Sequence, residues 1–110
     1  MDPVQEQVDA FNARDLERFL SHYAPETVIE DGTGNVVMQG LETMGRLNGA
    51  LFENSPNLHA EVVSRIRVGS YVVDEERTTG VELPGLPAEA HVVVIYRVQD
   101  EKIVHVRLLQ

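Results

Sequence analysis

From residue 59 onward this chain is nearly all extended-chain sequence, and that limits what it can fold into more than any other feature. Four apolar-rich runs, 59–68, 71–79, 91–98 and 102–109, are divided by Gly69-Ser70, by a Gly/Pro-rich loop over 80–90 and by a turn at Asp100-Glu101. Runs of this length with turn residues between them read as successive strands of an antiparallel meander. A sheet survives in water only when an apolar face is covered. What precedes residue 59 must supply that cover.

It does so with helical periodicity. Asp2 can cap, Pro3 suits the first helical position, Gln5 can close a capping box, and Val4, Val8 and Phe11 share one face. After Asn12-Ala13-Arg14, Asp15 can cap a second short helix with Leu16, Phe19, Leu20 and Tyr23 in a stripe, stopped by Pro25. Thr27–Glu30 and Val36–Met38 read as short strands on either side of Asp31-Gly32-Thr33-Gly34. Leu41, Met44, Leu47 and Leu51 then recur at helical spacing, with Gly45 and Gly49 permitting close backbone approach, until Asn54-Ser55-Pro56-Asn57 ends the helix. Helices grouped ahead of long strands indicate an α+β fold, three helices packed on the concave face of a bent sheet.

The chain is 110 residues with no cysteine, enough for one domain with one core and no disulfide framework. Its formal charge of −9, without a Lys/Arg cluster, argues against nucleic-acid and anionic-membrane partners. No apolar run approaches the ~20 residues of a membrane span, and Met1-Asp2-Pro3 has no basic n-region, so a cytoplasmic protein is expected. His22, His59, His91 and His105 show no ligand spacing, and no glycine-rich phosphate loop follows a strand; neither a metal nor a cofactor is expected.

Both faces of the last hairpin are apolar. Val92, Val94, Tyr96 and Val98 with Val104, Val106 and Leu108 form one; His91, Val93, Ile95 and Arg97 with Ile103, His105, Arg107 and Leu109 form the other. Helices cover only one side. The second, apolar and carrying His and Arg, has the composition of a homodimer interface, with His91, Val93, Ile95, Arg97, Ile103, His105 and Arg107 as the contact residues. Phe11, Phe19, Tyr23, Met44, Leu47, Val62, Val94, Tyr96 and Val106 are the expected interior, an aliphatic wall suited to an apolar small molecule. The acidic run Asp74-Glu75-Glu76-Arg77 is expected at a solvated edge; were one acid to face the concave side, Asp74 or Glu75 would be a second pocket acid.

The order of elements, together with Val4-Gln5, Phe11-Asn12-Ala13-Arg14-Asp15-Leu16, Tyr23-Ala24-Pro25-Glu26, Val28-Ile29-Glu30-Asp31, Gln39-Gly40 and the final Val94–Val98 and Lys102–Val104 hairpin, resembles the nuclear transport factor 2-like superfamily. More narrowly it resembles the SnoaL-like and ketosteroid-isomerase-like branch, over essentially all of residues 1–110. That resemblance implies a cone-shaped α+β (cystatin-like) domain with a deep apolar pocket, commonly a dimer packed through its sheet. It also implies a general base in a Glu-Asp-Pro motif after the first strand, matched here by Glu30-Asp31-Gly32 with glycine in place of proline, so Asp31 is the candidate base. Ketosteroid isomerases stabilise the enolate with a tyrosine and a protonated aspartic acid; in this register those positions hold Gln7 and Val94. Three functions are therefore in view: a small-molecule-binding protein, a cofactor-free isomerase or cyclase using Asp31, and a homodimeric interaction module.

Overall fold

A computed structural model describes residues 2–110. The chain runs α1 (Pro3–Asn12), α2 (Leu16–Leu20), β1 (Tyr23–Asp31), β2 (Val36–Gln39), α3 (Gly40–Asn54), β3 (His59–Val68), β4 (Tyr71–Thr79), β5 (Ala90–Gln99) and β6 (Lys102–Leu109). The anticipated caps form: Asp2 accepts from the Gln5 backbone N–H at 3.3 Å, and Asp15 accepts from that of Arg18 at 3.1 Å. Gln5 does not close a capping box, because its side chain bonds Asp9 and Arg65 instead.

The strands make one curved six-stranded sheet in the order β2-β1-β6-β5-β4-β3. The neighbours from β3 to β6 pair as an antiparallel meander. β1, however, lies beside β6 in parallel, so the sheet is mixed rather than purely antiparallel. The β1–β2 hairpin, from the N-terminal half of the chain, thus covers the β6 edge of the meander that the C-terminal half builds. α2 is shorter than its apolar stripe suggests. It ends at Leu20, and Tyr23 already begins β1, with Pro25 inside that strand where the β1–β6 register is interrupted between Tyr23 and Val28.

Helix cover on the concave face is sealed by aromatic contacts. Phe11 and Phe52 meet edge to face at 5.4 Å, Phe19 lies 5.7 Å from Phe52, and Phe19 lies 5.2 Å from Tyr23. α2 approaches α3 over the two glycines: a Cβ at Gly49 would stand 3.2 Å from Leu16, and one at Gly45 would stand 3.3 Å from Leu20. Val4, Met44, Leu58 and Ile103 lie at the centre of the core.

β-Bulges change which face several residues occupy. The β5–β6 register slips between Arg97 and Val98, so that Ile103 and Val106 both point inward. Ile103, expected among the outward interface residues, is a fully buried core residue. Strict alternation from Arg107 misplaces it because the bulge inserts one residue.

Candidate functional site

A chain of hydrogen-bonded side chains crosses the interior beneath α1. Tyr23 OH donates to Gln7 Oε1 at 2.8 Å, and Gln7 Nε2 donates to the Val4 carbonyl at 3.0 Å and to Tyr96 OH at 3.1 Å. Tyr96 OH in turn donates to Glu76 Oε2 at 2.9 Å. Glu76 neighbours Asp74 on the same face of β4, and Asp74 is clamped by both arms of a guanidinium, with Arg65 Nε at 2.6 Å and Nη2 at 2.8 Å. Arg65 Nη1 continues to Gln5 Oε1 on α1 at 2.7 Å. Two helix residues and four strands thus converge on one line of polar atoms inside an apolar core.

The strand geometry explains how this arises. Gly69-Ser70 is a two-residue connection that registers Val68 with Tyr71, and stepping back along both strands sets Arg65 opposite Asp74. Acids two residues apart on a strand share a face, so Asp74 and Glu76 go inward together and Glu75 goes outward to His91 and Ser64. The expected solvated edge is thereby corrected: β4 lies between β3 and β5, and Asp74 is 0% and Glu76 7% exposed. Asp74 is directly registered with Val94, so the neighbouring strand supplies an acid beside the position where the sequence has valine.

Burial dominates the electrostatics. It pushes Glu76 up to about 7, with the hydrogen bond and charge of Asp74 adding to the rise, and it holds the phenols of Tyr23 and Tyr96 well above their usual range. The hydrogen bond to Asp74 holds Arg65 more firmly protonated. Glu76 therefore changes charge near neutrality in a site with two tyrosine hydroxyls and a carboxamide within its bonded reach.

Asp31 does not join this group. Its Oδ1 accepts from Thr33 N–H at 2.9 Å, Thr33 Oγ1 at 2.7 Å and Asn35 N–H at 3.0 Å, closing the β1–β2 turn. The Thr33 bonds, with that of Asn35, hold its carboxyl below the usual range, the reverse of a base poised near neutrality. Its surroundings are a surface depression of about 360 Å³ that also includes Gly32, Thr33, Val37 and Leu108. Aspartate before glycine in a tight turn has this bonding available locally, which is why it sits here.

Of the residues expected to line a pocket, Gln7, Phe19, Tyr23, Val94, Tyr96 and Val106 are buried together, and Phe11 packs partly buried against them. Leu47 turns out to be 41% exposed on α3, and Val62 is half-buried on β3 where the register slips before Ser64. His91, Val93, Ile95, Arg97, His105 and Arg107 lie on the convex face. Sequence reading missed Glu76, Arg65 and Gln5. The hairpin register from Gly69-Ser70 would have paired Arg65 with Asp74. Nothing local distinguished Glu76 from Glu75, because Val72 and Val73 make both parities of β4 apolar.

Comparison with known proteins agrees with the architecture. The model of the SnoaL-like domain family matches residues 4–106. A structure of an uncharacterized cystatin-fold protein from Novosphingobium aromaticivorans superposes with a TM-score of 0.89 at 27% identity, covering 100% of this chain and 99% of that one. An LEH-like epoxide hydrolase from M. tuberculosis superposes at 0.80 with 15% identity over 97% of this chain and 78% of its own. A SnoaL-like protein of unknown function from Burkholderia thailandensis superposes at 0.77 with 21% identity, covering 94% and 87%. No curated protein matches by sequence.

Proposed function

This chain belongs to the SnoaL-like domain family, and from that premise we propose that it binds a small, largely apolar molecule on the concave side of its sheet, anchored by the Tyr23–Gln7–Tyr96–Glu76 chain. The carrying observation is that these polar groups, from α1 and three strands, meet inside an apolar core where a structural role alone would be served by hydrophobic residues of similar volume. The ligand feature that fits is a single carbonyl, hydroxyl or ether oxygen able to exchange for one member of the hydrogen-bonded chain. A surface depression of about 320 Å³ lies between the start of α1 and the β3–β4 turn, lined by Asp2, Pro3, Arg67 and Val72 among others. Val72 lies on the same face of β4 as Asp74 and Glu76, so this depression is at the same side of the sheet as the acids.

A second reading, proton transfer on that molecule, is favoured by Glu76. A carboxyl near 7 can hold or release a proton at neutral pH, and Tyr96 can stabilise an oxyanion formed beside it. Glu76 takes the role of base or acid in place of Asp31. The epoxide hydrolase among the structural relatives is an example of this fold carrying out chemistry on a small molecule.

The test is a thermal-shift and proton-exchange screen with cyclic ketones, lactones and epoxides, run on the wild type, Tyr96→Phe, Glu76→Gln and Asp31→Asn. Stabilisation by a screened compound is expected in the wild type, Asp31→Asn and Glu76→Gln, and is expected to be lost or strongly reduced in Tyr96→Phe, which breaks the hydrogen-bonded chain. Exchange or turnover that disappears in Glu76→Gln but not in Asp31→Asn establishes the catalytic reading. Stabilisation that Tyr96→Phe leaves intact removes the interior chain from the function.

A further inference from the structure

The hydrogen bonds from Tyr23 to Glu76 have a direction, and one side chain sets it. Gln7 is buried on α1, and its amide offers an oxygen that only accepts and a nitrogen that only donates. Val4, one turn earlier on the same side of the helix, presents its backbone carbonyl 3.0 Å from Nε2. The amide therefore cannot turn over. With Oε1 in the place of Nε2, two acceptors would meet with no proton between them.

Every further bond follows from that orientation. Nε2 gives its second proton to Tyr96 OH at 3.1 Å, so Tyr96 accepts from Gln7 and turns its own proton to Glu76 Oε2 at 2.9 Å. Oε1 faces Tyr23 OH at 2.8 Å, so Tyr23 donates. A proton carried by Glu76 is taken in turn by Asp74, the carboxyl group clamped by Arg65. All protons from Tyr23 to Glu76 are thus committed. Lone pairs stay open on the Tyr23 oxygen and on Gln7 Oε1, and among the described residues no further donor reaches either.

A ligand oxygen that joins these groups must bring its own proton. An alcohol or phenol donates into an open lone pair and leaves every existing bond in place. A ketone, ester or ether is held only by drawing a proton out of an existing bond, such as that of Tyr96 to Glu76, and this strands a buried acceptor. We propose that the site selects a hydrogen-bond donor, an apolar alcohol or phenol, over the carbonyl compound of the same skeleton, and that Gln7 is the residue that determines this specificity. The proposal rests on the interior binding site proposed above and narrows its ligand.

The test titrates matched pairs, cyclohexanol with cyclohexanone and cyclooctanol with cyclooctanone, into the wild type, Gln7→Met and Tyr23→Phe, with binding followed by NMR. In the wild type the Kd of each alcohol is expected to lie at least about tenfold below that of its ketone. Gln7→Met keeps an unbranched side chain but releases the Tyr23 proton, so the ketone gains a donor and the preference is expected to shrink to about twofold or less. Tyr23→Phe leaves Gln7 Oε1 open to the ligand, so the preference for the alcohol is expected to persist, a check that holds even if Gln7→Met does not fold. A ketone that binds the wild type as tightly as its alcohol overturns the proposal and leaves the interior site standing. Equal weakening of both members of a pair in Gln7→Met marks a purely structural glutamine and overturns its role in specificity, as does loss of the preference in Tyr23→Phe. Binding by no member of either pair removes the interior site itself, and this proposal with it.

Discussion

Glu76 concentrates the physical tension of this protein in one side chain. It accepts from Tyr96 and lies beside Asp74 in a nearly water-free setting, which favours its protonated form and moves its titration from 4.5 to about 7. An acid that holds its proton more tightly folded than unfolded contributes its full stability below pH 4.5. It loses that contribution as pH rises through the interval to about 7, by an amount on the order of 3 kcal/mol. Glutamine keeps the shape and both hydrogen-bonding roles of the protonated acid without the charge. Urea unfolding of the wild type and Glu76→Gln from pH 4 to 8 should therefore show the difference moving in the variant's favour across that interval and flat on either side. Taking the difference matters because His22, whose pKa burial lowers, contributes with the opposite sign below 6.5. A pH-independent difference would show that Glu76 ionises as an ordinary carboxylate. None of this was legible locally: three consecutive acids on a strand whose two faces are both apolar do not announce which of them is inside.

Among the elements, the β5–β6 hairpin shows most clearly how pattern and packing diverge. Its alternation correctly separated Val94, Tyr96 and Val106 from Ile95, Arg97 and Arg107. The bulge beyond Arg97 then reversed the assignment for Ile103, whose backbone N–H also bonds the His22 carbonyl where α2 leads into β1. Ile103→Ala should accordingly destabilise the protein by ~2–5 kcal/mol through lost burial and a residual cavity, read as a lower urea midpoint. An interface residue would instead leave the midpoint nearly unchanged and alter the association state. The β3–β4 hairpin is the opposite case. Its two-residue turn carried the Arg65–Asp74 pairing in the sequence itself, up to the slip at Val62–Ser64. Helix positions were the most readable elements, since their caps and stripes are local; their ends were less so, because Tyr23 satisfied a helical stripe and a strand equally well.

For the molecule as a whole, Arg65 ties three elements into one unit: it stands on the edge strand β3, clamps Asp74 on β4 and holds Gln5 on α1. Removing it leaves a carboxyl with 0% exposure without its counter-charge. Arg65→Ala is expected to cost ~3–5 kcal/mol, whereas Arg18→Ala, which breaks the exposed pair with Glu6, should cost ~0–1 kcal/mol. Equal urea midpoints for the two variants would mean that the interior pair is not holding α1 to the sheet.

Residue order alone determined the fold class, the three helices with the caps of the first two, the order of the strands and the close backbone approach allowed at Gly45 and Gly49. These follow from periods and turn chemistry, which act over a few neighbouring residues. Only the tertiary structure decided that β1 runs parallel to β6, that Asp31 closes a turn and that Asp74 and Glu76 face the interior with Arg65 opposite. Those outcomes depend on strand order, bulges and desolvation, which bring together groups as far apart in sequence as Gln7 and Tyr96, and no local pattern encodes what such a group will meet on the far side of the core.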